Sequence, residues 1–120
     1  MASIMVADDA VIIKKMLHDI LAQEGHKIVA GASTGGEVMR SYEACNPDLL
    51  FLDITMPEGD GVQILRKLML RHPQAKVIMC SAMGDQRIVR ECIKAGAAGF
   101  ITKPFNPRQV IEVVNQVLGK

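Results

Sequence analysis

The chain has 120 residues, of which 49% are hydrophobic and 22% are charged. This length and composition are typical of one globular domain and exclude a disordered protein. Its 14 Lys and Arg residues nearly balance 13 Asp and Glu residues, and a net charge of +1 disfavours a protein that grips nucleic acid electrostatically. No apolar run approaches the ~18–20 residues that cross a membrane, and the N-terminus lacks the basic region of a signal peptide.

Cysteine and histidine occur three times each, without the spacing of a zinc site or a redox pair. These residues are Cys45, Cys80, Cys92, His18, His26 and His72. Free thiols are typical of a reducing compartment, so a cytoplasmic protein is predicted. Aromatic residues are too scarce to stack the bases of single-stranded nucleic acid.

Short apolar runs alternate with stretches whose apolar residues recur every three or four positions. The runs are typical of strands buried on both faces of a sheet, and the stretches of amphipathic helices. Gly25 and Gly96 are predicted to end the first and fourth helices, and Asn106 and Pro107 to begin the fifth. In chain order the sequence predicts a strand over Ser3–Ala7, a helix with its apolar stripe over Ile13–Leu21, a strand over Lys27–Gly31, a helix over Thr34–Ala44, a strand over Leu49–Leu52, a helix over Gly61–Leu70, a strand over Lys76–Cys80, a helix over Asp85–Ala95, a strand over Gly99–Thr102 and a helix with its stripe over Val110–Leu118.

Five strand–helix units joined by short connections indicate an α/β fold. Strands that are apolar throughout need helices on both faces of the sheet, and right-handed crossovers then produce a doubly wound arrangement. The prediction is therefore a five-stranded, doubly wound parallel sheet with five helices. No linker, repeat or low-complexity stretch interrupts the chain, so residues 1–120 are expected to form a single domain.

Acidic, hydroxyl and basic side chains follow the predicted strands. Asp8 and Asp9 end the first strand, and Asp53 ends the third. Ser81 ends the fourth strand, and Lys103 follows the fifth. Ligands of open α/β sheets bind beyond the carboxyl ends of the strands, so these side chains are predicted to converge there.

Three converging carboxylates repel one another, since two like charges ~4 Å apart cost on the order of 4 kcal/mol near a protein surface. A cation or a proton relieves this repulsion, and carboxylates without His or Cys favour Mg²⁺ or Mn²⁺. A carboxylate can also act as a nucleophile and form an aspartyl phosphate. Taken singly, each residue has a structural alternative as a helix cap or a turn residue. Their shared location favours a phosphoryl-transfer site.

Four motifs carry a resemblance to a known family. They are Val6-Ala7-Asp8-Asp9, Asp53-Ile54-Thr55-Met56-Pro57 with Asp60-Gly61, Ser81-Ala82, and Lys103-Pro104-Phe105. Over about Ile4 to Val117 the chain resembles the receiver domain of two-component response regulators, most of all the stand-alone chemotaxis regulators. The resemblance implies the strand order 2-1-3-4-5.

The resemblance assigns a role to each acidic residue. It implies that Asp53 is the phosphoacceptor and takes a phosphoryl group from a histidine kinase phosphohistidine. Asp9, Asp53 and the backbone carbonyl of Thr55 would bind Mg²⁺ directly, and Asp8 would bind it through water. The chain would then be a phosphorylated signalling domain with no enzymatic turnover beyond its own phosphorylation and dephosphorylation.

The same resemblance implies a switch. Ser81 and Lys103 would contact oxygens of the new phosphoryl group, and Phe100 would turn inward once Ser81 moves. The Lys103–Pro104 bond is expected to be cis. Family members often carry Tyr at the place of Phe100, so contacts that need a hydroxyl group are in question here.

Two residues depart from the family pattern near the phosphoacceptor. Gly59 stands where a bulky residue is common, and we expect it to loosen the loop after Asp53. Met83 lies beside the phosphoryl group in the resemblance. Its apolar side chain cannot orient an attacking water, so a phosphate lifetime that is not shortened from that side is predicted.

The predicted fourth helix carries Arg87, Arg90 and Lys94 on one face. This spacing is typical of a solvated stripe, but the resemblance makes the face a surface for an acidic partner. The implied partners are a histidine kinase, a downstream protein such as a motor switch, and a phosphatase.

Four alternatives stay open at this point. A flavin carrier of the same topology needs a Gly- and hydroxyl-rich loop where this chain has Asp8-Asp9-Ala10. A haloacid-type phosphatase needs a second acid two residues after its nucleophile, where this chain has Thr55. The third alternative is a binding module that never takes phosphate, and the fourth is a receiver cut from a larger regulator.

Overall fold

The computed structural model describes residues 2–82 and 86–119. These residues form five helices and seven strands, two of which belong to a small hairpin. In chain order the elements are β1 (Ser3–Ala7), α1 (Val11–Gln23), β2 (Lys27–Ala32), α2 (Gly35–Cys45), β3 (Leu49–Asp53), β4 (Thr55–Met56), β5 (Gly59–Asp60), α3 (Gly61–Arg71), β6 (Val77–Ser81), α4 (Gln86–Lys94), β7 (Gly99–Thr102) and α5 (Pro107–Leu118).

The main sheet has five parallel strands in the order β2-β1-β3-β6-β7. Because β6 and β7 are the fourth and fifth strands of this sheet along the chain, the predicted order 2-1-3-4-5 is confirmed. The register places Ala7 beside Leu52 and Asp53 beside Cys80. The carboxyl ends of β1, β3 and β6 therefore lie next to one another in the middle of the sheet.

Two hydrophobic layers cover the sheet, one on each face. Ile4 and Val6 face the layer that holds α1 and α5, and Met5 faces the layer that holds α2, α3 and α4. Strand β3 is buried at every position, as the uniformly apolar run predicted. The core is aliphatic, with Met5 and Met79 among its fully buried side chains.

The predicted helix boundaries have their expected local chemistry. Asn106 accepts the Gln109 N–H at 2.8 Å and begins α5, whose first residue is Pro107. Gly25 and Gly96 follow α1 and α4 with φ angles of 84° and 109°, a conformation in which glycine is unstrained. The predicted start of the fourth helix at Asp85 lies outside the described residues.

The segment after Asp53 differs from its predicted form. It is a short antiparallel hairpin rather than an unpaired loop. Thr55 lies opposite Asp60, and Met56 lies opposite Gly59. Glu58 forms the turn at a φ angle of 61°. A Cβ atom at Gly59 would lie 3.0 Å from the Cα of Gly35, so this glycine permits close packing against α2. The expectation that Gly59 loosens the segment concerns mobility and stays a prediction.

Candidate functional site

Three carboxylates meet where β1 and β3 end. Asp8, Asp9 and Asp53 each place one oxygen within 4.8 Å of those of the other two. Asp8 and Asp53 are buried, whereas Asp9 is exposed. The parallel pairing of β1 with β3 brings these residues together although 44 positions separate Asp9 from Asp53.

The side chain of Lys103 lies against this acidic cluster. Its Nζ donates to Oδ2 of Asp8 at 2.7 Å and lies 3.5 Å from Oδ2 of Asp53. The backbone N–H of Lys103 donates to the carbonyl of Ser81 at 2.7 Å, which attaches the residue to the end of β6. The Lys103–Pro104 peptide bond is cis, as expected.

Burial sets the electrostatics of the cluster. It raises the pKa of Asp53 above its usual value, and the neighbouring charge of Asp8 raises it further, whereas Lys103 opposes the rise. Burial also acts to lower the pKa of Lys103, but its hydrogen bond to Asp8 and the two carboxylate charges outweigh burial and raise that pKa. One ammonium group thus faces three carboxylates, so negative charge is in excess.

This donor set fits a hard divalent cation. All three donor groups are carboxylates, and no His or Cys joins them in the cluster that the described residues form. Their spacing lets one ion contact or approach all three, and the excess negative charge favours its binding. Mg²⁺ and Mn²⁺ prefer such oxygen ligands, and the exposure of Asp9 leaves a route for water to complete the coordination.

Backbone contacts hold the segment that carries Asp53. The Thr55 N–H donates to Oδ1 of Asp53 at 3.3 Å, and the Ile54 N–H donates to the carbonyl of Cys80 at 3.0 Å. The Gly61 N–H donates to the carbonyl of Ile54 at 2.8 Å. A Cβ atom at Gly61 would lie 2.5 Å from the carbonyl oxygen of Asp53, so only glycine allows α3 to begin there.

The predicted switch residues lie on neighbouring strands. Ser81 ends β6 and is buried, one position beyond the partner of Asp53 in that strand. Phe100 lies in β7, half-buried, and packs at the margin of the layer that holds α4. The register places Phe100 beside Met79 and Thr102 beside Ser81.

Cys80 is buried beside Asp53, its partner in the pairing of β3 with β6. Burial raises the pKa of its thiol to about 12; the charge of Lys103 opposes this rise, and the charges of Asp8 and Asp53 add to it. The thiol therefore stays protonated and behaves as a small apolar side chain in the core.

The predicted partner surface lies on α4. Arg87, Arg90 and Lys94 are all exposed, as expected for residues on the outer face of this helix. Met83, for which a role beside the phosphoryl group was predicted, lies outside the described residues.

The structure adds a surface that the sequence reading missed. Val11 and Ile12 lie two and three positions after Asp9, in the first turn of α1, and are 75% and 73% exposed. Their signal was present in the run Val11-Ile12-Ile13, of which only Ile13 fits the buried stripe of the helix. Consecutive apolar residues at a helix start, next to a polar site, indicate a contact surface.

Comparison with known proteins identifies what the chain is similar to. A family model described as the response regulator receiver domain matches residues 4–115. The chemotaxis protein CheY of Thermotoga maritima is 43% identical over 114 residues, which make up 95% of each chain. CheY of Bacillus subtilis is 44% identical over 115 residues, or 96% of each chain.

A solved structure supports the same relationship. A chain of the CheX–CheY–BeF₃–Mg²⁺ complex from Borrelia burgdorferi has a TM-score of 0.94 and 37% identity, covering 98% of this chain and 90% of that one. These matches exclude the flavin carrier and the haloacid-type phosphatase. In the part of the chain that the structure describes, no helix has the length and apolar character needed to cross a bilayer.

Proposed function

This chain belongs to the response regulator receiver domain family, and on that premise we propose that it is a CheY-like receiver that accepts a phosphoryl group on Asp53. The observation that carries the proposal is the meeting of Asp8, Asp9 and Asp53 within 4.8 Å. Lys103 lies against this cluster and supplies the cation that a phosphoryl group needs. We assign the protein to the cytoplasm and to a chemotaxis pathway or a related two-component pathway, following its CheY relatives.

The acidic cluster is the proposed metal site. Asp9, Asp53 and the backbone carbonyl of Thr55 would hold Mg²⁺ directly, and Asp8 would hold it through water. Bound Mg²⁺ neutralises negative charge on the oxygens of the transferring phosphoryl group. Mn²⁺ satisfies the same oxygen donors and is the natural substitute in experiments.

The proposed reaction uses a carboxylate oxygen of Asp53 as the nucleophile. This oxygen attacks the phosphorus of a kinase phosphohistidine, an O–P bond forms, and the N–P bond breaks. The electron pair of the broken bond returns to the imidazole ring, which takes up a proton from water. Lys103, at 3.5 Å from Oδ2 of Asp53, is placed to pair with one phosphoryl oxygen.

The same residues would couple phosphorylation to a change of shape. Phosphorylation adds about −1.5 to −2 charges beside Ser81 and Lys103. Shifting a state from ~1% to ~99% needs about 5.5 kcal/mol of differential interaction. Two to four charge-assisted hydrogen bonds, at ~1.5–3 kcal/mol each, are enough. In our proposal Ser81 moves toward the phosphoryl group, and Phe100, at present half-buried, turns inward.

Two surfaces would meet the protein partners. Val11 and Ile12 are exposed and follow Asp9 by two and three positions, so they are the proposed contact for the histidine kinase that delivers the phosphoryl group. Arg87, Arg90 and Lys94 on α4 would meet an acidic downstream target. Because a structural relative occurs in a complex with CheX, a partner of that kind is also proposed. A phosphatase, which the family resemblance implies, is a further proposed partner.

The test is phosphorylation by acetyl phosphate with Mg²⁺, followed by intact mass. We expect the wild type to gain one phosphoryl group, the Asp53→Asn variant to gain none, and the wild type with EDTA to gain none. The matched control is Asp19→Asn, which removes an exposed aspartate of α1 and should leave the gain intact. A wild type that gains no mass would favour the binding module without phosphate, and equal gain in Asp53→Asn would move the phosphoacceptor elsewhere.

A further inference from the structure

Helix α2 begins in direct contact with the hairpin that follows the phosphoacceptor. The N–H of Gly35 donates to the carbonyl of Pro57 at 2.8 Å. A Cβ atom at Gly35 would lie 2.5 Å from the carbonyl oxygen of Glu58 and 2.8 Å from the Cα of Gly59. These neighbours are backbone atoms and cannot rotate away as the end of a side chain can. Any residue larger than glycine must therefore separate α2 from the hairpin.

We propose that Gly35 is a positioning residue for the metal site, since its lack of a side chain lets the β4–β5 hairpin seat where Thr55 can serve as a ligand. The inference rests on the proposed function, because it assumes that the carbonyl of Thr55 binds Mg²⁺. It goes beyond that function by assigning a role to a residue on the far side of the hairpin, outside every motif of the site.

The α2 side of this contact is the firmer one. The carboxylate of Glu37 accepts the backbone N–H groups of Ser33 and Thr34 at 3.0 and 3.1 Å, which fixes the start of the helix. Lys14 on α1 donates to the hydroxyl group of Ser33 at 2.6 Å. An added methyl group at Gly35 therefore pushes against a segment that is held from two directions.

The hairpin is the softer side. It consists of two residue pairs, and its residues Glu58, Gly59 and Asp60 are exposed. An isolated two-stranded hairpin is marginal in water, so this one depends on what it packs against. The hairpin is thus the part that moves when α2 and the turn are forced apart.

Movement of the hairpin reaches the site within a few bonds. Thr55 pairs with Asp60 in the hairpin, and the Thr55 N–H donates to Oδ1 of Asp53 at 3.3 Å. Displacing Thr55 shifts its carbonyl and weakens the hydrogen bond that orients Asp53. Changes to groups that orient metal ligands typically cost ~10–100-fold in metal affinity.

The neighbouring glycine is a matched control. Gly36 follows Gly35 in the same turn of α2, but a Cβ atom there would meet only the tip of the Glu58 side chain, at 3.3 Å, and the Thr34 hydroxyl at 4.0 Å. Both Gly→Ala changes add one methyl group and the same helix propensity. They differ in whether backbone atoms block the methyl group.

The experiment is titration of the folded proteins with Mg²⁺ by calorimetry and with Mn²⁺ by electron paramagnetic resonance, beside urea unfolding in EDTA. We expect Gly35→Ala to bind both ions about 10-fold more weakly than the wild type, and Gly36→Ala to bind them as the wild type does. The Thr55 amide signal in NMR spectra should shift in Gly35→Ala and stay in place in Gly36→Ala.

Equal affinities of Gly35→Ala and the wild type for Mg²⁺ and Mn²⁺ would overturn the inference. This holds even if Gly35→Ala unfolds at lower urea, because that result would show a role in stability alone. Absence of Mg²⁺ binding by the wild type would instead refute the proposed function. Should Gly35→Ala fail to fold, Gly59→Ala presses on the same contact from the hairpin, with its Cβ 3.0 Å from the Cα of Gly35. Weakened ion binding by this variant supports the inference, and unchanged binding overturns it.

Discussion

Lys103 Nζ lies 2.7 Å from Oδ2 of Asp8 but 3.5 Å from Oδ2 of Asp53, so the lysine is paired with the carboxylate that is not the proposed nucleophile. This arrangement leaves Asp53 the less compensated of the two buried acids. Burial and the neighbouring charge of Asp8 both raise the pKa of Asp53, and Lys103 only partly opposes them. The ammonium group can therefore transfer its contact to a phosphoryl oxygen without leaving the site.

Removing this lysine should be costly without metal. We expect Lys103→Met to lower the free energy of unfolding by about 3 kcal/mol in EDTA, since a buried carboxylate loses its partner. Urea unfolding at pH 7 measures the effect, and added Mg²⁺ should recover part of it. The control is Lys15→Met, which breaks an exposed pair with Asp19 worth at most ~0.5 kcal/mol. A loss in Lys103→Met no larger than in this control would contradict the assigned pairing.

Removing the charge of Asp53, the proposed nucleophile, should raise the free energy of unfolding in EDTA. Asp53→Asn keeps the shape of the side chain but removes one of two neighbouring buried like charges, so stability in EDTA should rise by on the order of 1 kcal/mol. The wild type should gain ~1.4 kcal/mol when Mg²⁺ is present at ten times its Kd, and the variant should gain much less. Thermal unfolding with and without Mg²⁺ checks both statements, and an equal Mg²⁺ gain in the two proteins would count against Asp53 as a ligand.

A pH-dependent contribution is expected far from the site. Asp48 accepts the Ser3 N–H at 2.9 Å, and this hydrogen bond holds the pKa of Asp48 below its usual value. A lowered carboxyl pKa stabilises the fold above the unfolded-state pKa near 3.8, and the contribution is lost as pH falls through the folded-state value. Because this hydrogen bond is exposed to solvent, Asp48→Ala should cost only about 0.5 kcal/mol at pH 6–8 and progressively less below pH ~4. A difference from wild type that does not change with pH would refute this assignment.

The proposed kinase contact at Val11 and Ile12 can be tested separately from the phosphorylation of Asp53. Ile12→Asp should slow phosphotransfer from the cognate histidine kinase at least about 10-fold, roughly the effect of losing 1.4 kcal/mol of binding, and leave acetyl phosphate labelling unchanged. An acid in the first turn of α1 is favourable to the helix, so the variant should fold. Leu70→Asp changes an equally exposed residue of α3 and is the control. Equal rates from the kinase in all three proteins would remove Ile12 from the contact.

The proposed output surface on α4 can be tested by charge reversal. Arg90→Glu on α4 should weaken binding of the phosphorylated protein to its acidic target about 10-fold or more and reduce the salt dependence of binding. Arg66→Glu, on the exposed side of α3, makes the same charge change elsewhere. Target affinities from surface plasmon resonance that are alike in both variants would show that the cations of α4 form only a solvated stripe.

The convergence of the proposed site residues could be predicted from the sequence because it depends on where the strands end. Uniformly apolar runs mark the strands, and parallel strands place Asp8 and Asp53 at one edge whatever lies between them. The hairpin after Asp53 could not be predicted. Its pairing is two residues long, and the role of Gly35 depends on a close approach between segments that no local pattern records. The exposure of Val11 could not be predicted either, because an apolar residue at the start of a helix can equally belong to the core or to a docking surface.

Strand β3 is buried at every position, and the residue at its end, Asp53, is the proposed phosphoacceptor. The proposed chemistry thus takes place at the end of a fully buried strand, whereas the proposed surfaces for partners lie on the helices that cover the sheet. We therefore expect that substitutions on those helices can change which proteins the receiver recognises without disturbing the strand end that carries Asp53.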